Sequence, residues 1–380
     1  MKIAFVTPFF FPVVGGVEQV VYELGRRLIK EGHEVHVFTS DCGRKEYTEG
    51  KGCRLKEKEL EIDGIKVHRG YHLFHVSDRG TVWLNYGKLW KEDFDIVHSH
   101  VIGHFCGFMA GMIAKVRGIK YIHTTHCPWT DRHRPFLARL MVKMAGLTWG
   151  KWTLRLADKI ISITPWEFDQ LRKWGADKEK IIYISNGMDE VFFKKIKDNK
   201  FKKKFKDKIV LFLGRLHITK GPEKLVIAAK EILKDRDIDF VFVGPDEGML
   251  KEMEKIRNKE KRIHILGTIR GKKKLAEIYQ AADVYVLPSY REGLPLTLFE
   301  AYASGLPVVA SPVNGIPYEM EDGVNGFFVE YGDIENLKKK ILKVLDDREL
   351  SDRFSKNNRE KAKDFSWDKI LERTKKVYGI

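Results

Sequence analysis

Short apolar runs rich in β-branched residues alternate along the chain with segments whose apolar residues recur at the helical period, the rhythm of parallel α/β sheets. Residues 3–6 read as a strand. Val17, Val20, Val21, Leu24 and Leu28 then line one face of a helix that stops at Gly32, and 35–38 begins the next strand. Further strands are expected at 96–98, 121–124, 160–163 and 181–184. Between the last two, Thr164-Pro165-Trp166-Glu167 has the marks of a helix start: a threonine cap, proline at the first helical position and glutamate at the third. After Asn186-Gly187-Met188-Asp189 comes a run, 192–209, with nine lysines against two aspartates. The rhythm then restarts, with strands expected at 209–213, 240–243, 263–266, 284–287, 308–310 and 327–329.

The pattern predicts an α/β fold of two Rossmann-like parallel-sheet domains facing across a cleft. Residues 1–190 form the first domain, 191–208 an exposed, mobile Lys-rich linker, and 209–366 the second domain. Ligands of open α/β sheets bind beyond the C-terminal ends of the strands. A motif therefore counts toward a site only where it follows a strand.

Composition narrows the partners. The 380 residues carry 69 Lys and Arg against 53 Asp and Glu, a formal charge of +16, which favours anionic partners such as nucleotide sugars or acidic lipids. Nucleic acid would also suit that charge, but no aromatic-rich sheet or recognition motif supports it. Cys42, Cys53, Cys106 and Cys127 are scattered without a Cys-x-x-Cys pair, so neither a zinc framework nor a disulfide scaffold is indicated. A reducing, cytoplasmic setting is the simplest. The first 14 residues mimic an export signal, but Pro8 and Pro12 interrupt the apolar run, and the segment reads as a buried strand. No stretch reaches the roughly 18 apolar residues of a spanning helix.

Four clusters pass the strand-exit test. After strand 284–287 comes Pro288-Ser289-Tyr290-Arg291-Glu292-Gly293-Leu294-Pro295-Leu296-Thr297-Leu298-Phe299-Glu300, in which Pro295 suits the first turn of a helix running to about Ser304. The amides of Leu296, Thr297 and Leu298 would then point at whatever lies beyond the sheet, and a helix start favours an anion. Glu292 and Glu300 make sense there if each holds hydroxyls of a neighbouring sugar; otherwise they are an ordinary acidic first turn. Gly214-Arg215-Leu216-His217-Ile218-Thr219-Lys220-Gly221 follows strand 209–213. Its two cations either hold a diphosphate or are merely solvated. Gly15-Gly16 follows the first strand and allows a phosphate or sugar to approach, or is only a tight turn. His126 ends His123-Thr124-Thr125-His126-Cys127, either catalytic or structural. His98, His100 and His104 cluster at another exit, but no carboxylate or cysteine joins them at a recognised ligand spacing, so no metal is expected. The Asp-x-Asp pairs within 235–239 precede a strand and lie at the wrong end of it.

Taken together, these residues resemble the retaining glycosyltransferases of family 4, with the GT-B fold. The resemblance rests on Gly15-Gly16-Val17-Glu18, Asp95-Ile96-Val97-His98-Ser99-His100, Ser185-Asn186-Gly187-Met188-Asp189, Gly214-Arg215 with Lys220-Gly221, and the Glu-x7-Glu spacing from Glu292 to Glu300. It extends to Asp322-Gly323-Val324-Asn325-Gly326-Phe327 and Phe365-Ser366-Trp367. Met188 departs from the family, which more often carries valine there. The resemblance implies a hexose-type sugar moved from a nucleotide-diphosphate donor, UDP- or GDP-linked, without a metal or other cofactor. It implies that Arg215 and Lys220 bind the diphosphate, aided by Gly293 and the amides at Leu296 and Thr297. Glu300 would take the ribose, Glu292 the transferred sugar, and Thr268 and Ile269 the base through their backbone. Gly16 would approach phosphate or acceptor, Gly15 beside it, and His126 would lie next to the reacting sugar. A last helix, 367–380, would cross back to the first domain.

Two rival enzyme classes share the architecture. A nicotinamide dehydrogenase could use Asp41 for a ribose, but Gly-x-Gly-x-x-Gly is missing from both halves. A nucleotide-sugar epimerase differs only in needing no acceptor. For the acceptor, the stretch 128–155 interleaves six Lys and Arg and one Asp with Trp129, Phe136, Leu140, Met144, Leu147, Trp149 and Trp152. This is either a basic amphipathic surface resting on the inner face of an anionic membrane, presenting a lipid-linked acceptor, or a helix pair with solvated charges.

Overall fold

The computed structural model describes residues 1–13, 15–43, 54–76, 80–126 and 136–380, which form two compact units. The first comprises Met1–Asn186 with Ile370–Ile380, and the second Gly187–Lys369. The boundary thus falls four residues before the expected one, and the Lys-rich run 191–208 is part of the second unit rather than a linker. It is fastened to the helix Lys272–Ala281: the Ile196 amide donates to Gln280 Oε1 at 2.9 Å and Asn199 Nδ2 to the Glu277 carbonyl at 2.8 Å. Charge density alone does not free a segment whose backbone polar groups find partners.

Among the described residues, the first unit is built on a nine-stranded sheet. Its parallel core runs, in spatial order, Ile65–Val76, Glu34–Ser40, Lys2–Val6, Ile96–His100, Lys120–Thr124, Lys159–Ser162 and Ile181–Tyr183. Glu59–Ile62 and Gly80–Leu84 pair antiparallel with Ile65–Val76. These three strands are absent from the sequence reading. The central one buries His68, Arg69 and His72, which break the apolar run by which a buried strand is recognised. The last helix, Trp367–Tyr378, buries Ile370, Leu371, Val377 and Tyr378, and the Tyr378 hydroxyl lies 2.7 Å from His98 Nδ1 in the heart of this sheet.

The second unit carries six parallel strands in the order Ile263–Ile265, Ile238–Val243, Lys208–Leu213, Val284–Leu287, Val308–Ala310 and Gly326–Phe328. Phe212, Phe240, Phe242, Val286 and Val309 bury one sheet face against the helices Pro222–Ile232 and Ile334–Asp346. Strand order reverses at the pair Lys208–Leu213 and Val284–Leu287, since each has its sequence neighbour on its outer side. That reversal point is where an open α/β sheet leaves a crevice for a ligand. In the first unit the reversal lies between Lys2–Val6 and Ile96–His100.

Two family-like signatures prove to be one packing unit. The Met188 amide donates to the Phe365 carbonyl at 2.8 Å, and a Cβ on Gly187 would stand 2.3 Å from the Trp367 ring. Asn-Gly-Met and Phe-Ser-Trp therefore close the two chain ends of the second unit on each other.

Candidate functional site

At the reversal point of the second unit, two loops leave adjacent strands and are stitched together by their backbones. The Tyr290 and Arg291 amides both donate to the Thr219 carbonyl, at 3.0 and 3.2 Å. Gly221 has φ +61, and a Cβ there would meet the Pro288 carbonyl at 2.2 Å, so only glycine allows this approach. The stitching brings Lys220 against Glu292 as a direct ion pair. Glu292 is 4% exposed, and its other oxygen accepts from Ser289 Oγ at 2.7 Å. The Asn314 amide, at the exit of the next strand, caps the Glu292 carbonyl. Two expected site residues of opposite charge thus share one buried spot.

Arg215 follows the same strand, and its guanidinium is held by Glu247 from the loop after Ile238–Val243. The glycine that this close loop packing demands is Gly244 rather than Gly214. Gly244 has φ +149, and a Cβ on it would lie 1.8 Å from the Gly214 carbonyl, whereas one on Gly214 would make ordinary contact with Phe212. The Gly244 amide donates in turn to the Gly267 carbonyl at 2.9 Å. Thr268 and Ile269 therefore stand on the same rim of the sheet as Arg215, with Thr268 exposed and Ile269 half-buried.

The helix after Glu292 and Gly293 spans Leu296–Ala303 with Pro295 as its cap residue. The Leu298 amide donates back to the Pro295 carbonyl at 3.1 Å, so of the three amides expected at the helix start only those of Leu296 and Thr297 remain candidates for a ligand. Glu300 lies half-buried in this helix and accepts from the Tyr279 hydroxyl at 2.9 Å. Burial raises its carboxyl to about pKa 7, against the opposing pull of the Tyr279 hydrogen bond and the Lys272 charge. Lys272 itself pairs with Asp189 at 2.7 Å. Glu300 and Glu292 thus occupy different electrostatic surroundings, one beside a tyrosine and one beside an ammonium.

In the first unit, Gly15 and Gly16 sit where expected, past the first strand and opening the helix Gly16–Lys30. Gly15 is extended, at φ −157, and a Cβ on it would meet the flexible end of Glu18, which is itself buried in the first helical turn. His126 follows Lys120–Thr124 with its Nε2 3.0 Å from His100 Nδ1. Burial holds its pKa down at about 3, so the ring is neutral at ordinary pH. Among the described residues, no group of three His, Cys, Asp or Glu side chains could hold a metal. Cys42 and Cys106 are buried; Cys53, Cys127 and Trp129 lie outside the described residues. Of the Asp-x-Asp residues, Asp239 lies within its strand, as the second residue of Ile238–Val243, rather than before it, and pairs with His264 at 2.8 Å.

Sequence reasoning missed the supporting set: Ser289, Asn314, Tyr279 and Glu247. Ser289 and Asn314 stand at strand exits and so obeyed the same rule that found Glu292. Tyr279 lies in the last turn of the helix Lys272–Ala281, and nothing in its spacing points to Glu300.

Comparison with known proteins agrees with this geometry. Residues 14–192 match the family described as Glycosyltransferase Family 4, and residues 193–361 match Glycosyl transferases group 1. The UDP-Gal:alpha-D-GlcNAc-diphosphoundecaprenol alpha-1,3-galactosyltransferase of Escherichia coli is 31% identical over 322 residues, covering 80% of each chain. The D-inositol 3-phosphate glycosyltransferase of Corynebacterium efficiens is 30% identical, covering 96% of this chain and 90% of that one. Among solved structures, Anabaena HepE in complex with UDP superposes with a TM-score of 0.79 at 18% identity, over the full length of both chains. A sheet pair of this kind, with its charged pair at the reversal point and homologues over nearly its whole length, leaves one assignment: the chain belongs to glycosyltransferase family 4, has the GT-B fold, and is a glycosyltransferase.

Proposed function

We propose that the enzyme moves a hexose-type sugar from a nucleoside-diphosphate donor to an acceptor hydroxyl with retention of configuration and without a metal. The observation that carries this reading is the Lys220–Glu292 pair, a half-buried ammonium on a buried carboxylate, at the reversal point of the second sheet. Breaking the bond between the anomeric carbon and the phosphate oxygen places negative charge on the leaving diphosphate and positive charge on the sugar ring. Lys220, Arg215 and the amides of Leu296 and Thr297 neutralise the first. In this reading Glu292, beside Lys220, meets the sugar and Glu300 the ribose, with the backbone at Gly293, Thr268 and Ile269 contributing to donor binding. The first unit supplies the acceptor side through Gly15 and Gly16, with His126 as the neutral group that meets the transferred sugar. The donor is UDP- or GDP-linked; the name of the E. coli relative favours UDP.

A lipid-linked acceptor is favoured by the same relative's name and by one surface of the first unit. Along Phe136–Ala145 and its continuation, Phe136, Leu140, Met144 and Leu147 form one exposed face, with Trp152 beyond, and Lys143 and Arg155 stand exposed beside them. Among the described residues no helix is long and apolar enough to cross a membrane. The proposal is a peripheral contact.

The experiment is donor turnover by Arg215→Ala, whose side chain is partly exposed and paired with Glu247. A fall of about 10²–10³ in kcat, undiminished activity of the wild type in excess chelator, and an intact fold are expected. Near-normal turnover by the variant removes the electrostatic basis of the reading.

A further inference from the structure

His126 is held unusually hard. It leaves its strand at φ +58, and Val101, at the exit of the neighbouring strand, has φ +70, a conformation a β-branched residue rarely adopts. The two strands run in register at His100 and Thr124, and the ladder continues past both ends: the Val101 amide donates to the Thr124 carbonyl at 2.9 Å and the Ile102 amide to the Thr125 carbonyl at 3.2 Å. Beneath, the Thr125 hydroxyl donates at 2.6 Å to the fully buried carboxylate of Glu167, which also accepts from Ser162 Oγ at 2.8 Å. The glutamate read as part of a helix cap thus turns inward to pin the residue before His126.

The ring is held as well. His100 has no exposed surface, and its ring packs against Phe5, His98 and His126 at centroid distances of 5.6, 4.3 and 5.2 Å. Its Nδ1 faces His126 Nε2, while its Nε2 is buried and has no hydrogen-bond partner among the described residues. We infer that His100 is a positioning residue that donates from Nδ1 to His126 Nε2 and so fixes the proton of His126 on Nδ1. A neutral imidazole carries one N–H and one lone pair. Were His126 the donor, His100 would have to carry its proton on Nε2, as a buried N–H with no acceptor, which folded proteins avoid more strictly than an unused lone pair. Burial keeps both rings neutral, the His100 pKa lying well below its ordinary value. The remaining nitrogen of His126 is then a fixed N–H donor, suited to a sugar oxygen. The inference rests on the proposed role of His126 for its meaning but not for its test.

Ring ¹⁵N spectra of the full-length wild-type protein at neutral pH decide the pairing. Nδ1 protonated and Nε2 bare on His126 is expected; a proton on Nε2 overturns the assignment, whatever the variants do. Kinetics then test its use. His100→Phe is expected to lower kcat about ten- to a hundredfold with donor KM little changed. His100→Asn, whose amide N–H can replace Nδ1, should recover part of the loss. The double variant with His126→Ala should be no slower than His126→Ala alone. Additive losses, or a fully active His100→Phe beside an impaired His126→Ala, refute the positioning role. Full activity of His126→Ala would instead sink the proposed role of His126, with the spectra still deciding the tautomer.

Discussion

Glu300 joins stability and binding in one carboxyl. Its pKa rises from an ordinary 4.5 to about 7 because burial disfavours the charge. The folded protein therefore holds this proton more tightly than the unfolded chain, so the group lowers stability progressively as pH rises from 4.5 to 7 and fully above that. Glu300→Gln keeps the shape and an acceptor for Tyr279 but removes the charge. Its melting temperature is expected to exceed the wild type's above pH 7, with the gap closing at pH 5. The same carboxylate would accept from both ribose hydroxyls at full strength only when ionised, since protonation turns one of its oxygens into a donor. A nucleotide sugar, which has no phosphate titrating in this range, should bind about tenfold more weakly at pH 6 than at pH 8. Calorimetry showing equal affinity at both would refute the ribose role. The position of Glu300 was legible because a strand exit followed by Pro295 fixes where the helix starts. Its acidity was not, since it depends first on burial and then on Tyr279, Lys272 and Asp189, all set by other parts of the chain.

At the scale of elements, the 3.6 and 2.0 periods found the parallel strands of both sheets except the one that buries His68, Arg69 and His72, whose polar groups hide it. The interleaving of apolar and basic residues also marked the amphipathic stretch 128–155, of which 128–135 lie outside the described residues, but not its partition. Phe136–Ala145 passes into a π-turn, Gly146–Gly150, and a Cβ on Gly146 would stand 2.2 Å from Trp174, so the turn seats the helix on the first unit. What stays outside is Phe136, 72% exposed, with Met144 and Trp152 at 52%. An exposed apolar ridge flanked by cations suits an anionic bilayer, where each basic side chain near the surface contributes about 1 kcal/mol. The protein is expected to sediment with phosphatidylglycerol vesicles at low salt and much less with phosphatidylcholine. Phe136→Ser with Met144→Ser should weaken binding about tenfold or more, each buried methylene being worth about 0.8 kcal/mol. No sedimentation at low salt would end the membrane reading.

The whole molecule is asymmetric in how its chain closes. The second unit is one continuous segment, Gly187–Lys369, whose ends are clasped where Gly187 meets Trp367 and Met188 meets Phe365. The first unit needs two segments, because Ile370–Ile380 completes it. The last helix buries Ile370 and Tyr378 at 2% exposure, Leu371 at 6% and Val377 at 8%. Each such side chain contributes about 1.5–3 kcal/mol when buried, so its loss would consume most of the 5–15 kcal/mol that holds a domain folded. The Tyr378 hydroxyl also satisfies a wholly buried His98 nitrogen. A fragment ending at residue 186 should therefore unfold or aggregate. The fragment 187–369 should instead melt cooperatively and, if donor binding resides in Arg215, Lys220, Glu292 and Glu300, bind a nucleotide sugar within about tenfold of the full chain, every one of these residues lying inside it. Calorimetric melting and titration of the two fragments measure both halves of the expectation. A folded 187–369 that binds no nucleotide sugar would move the donor site's energy elsewhere, and would do so without touching the family assignment, which rests on the whole length of the chain.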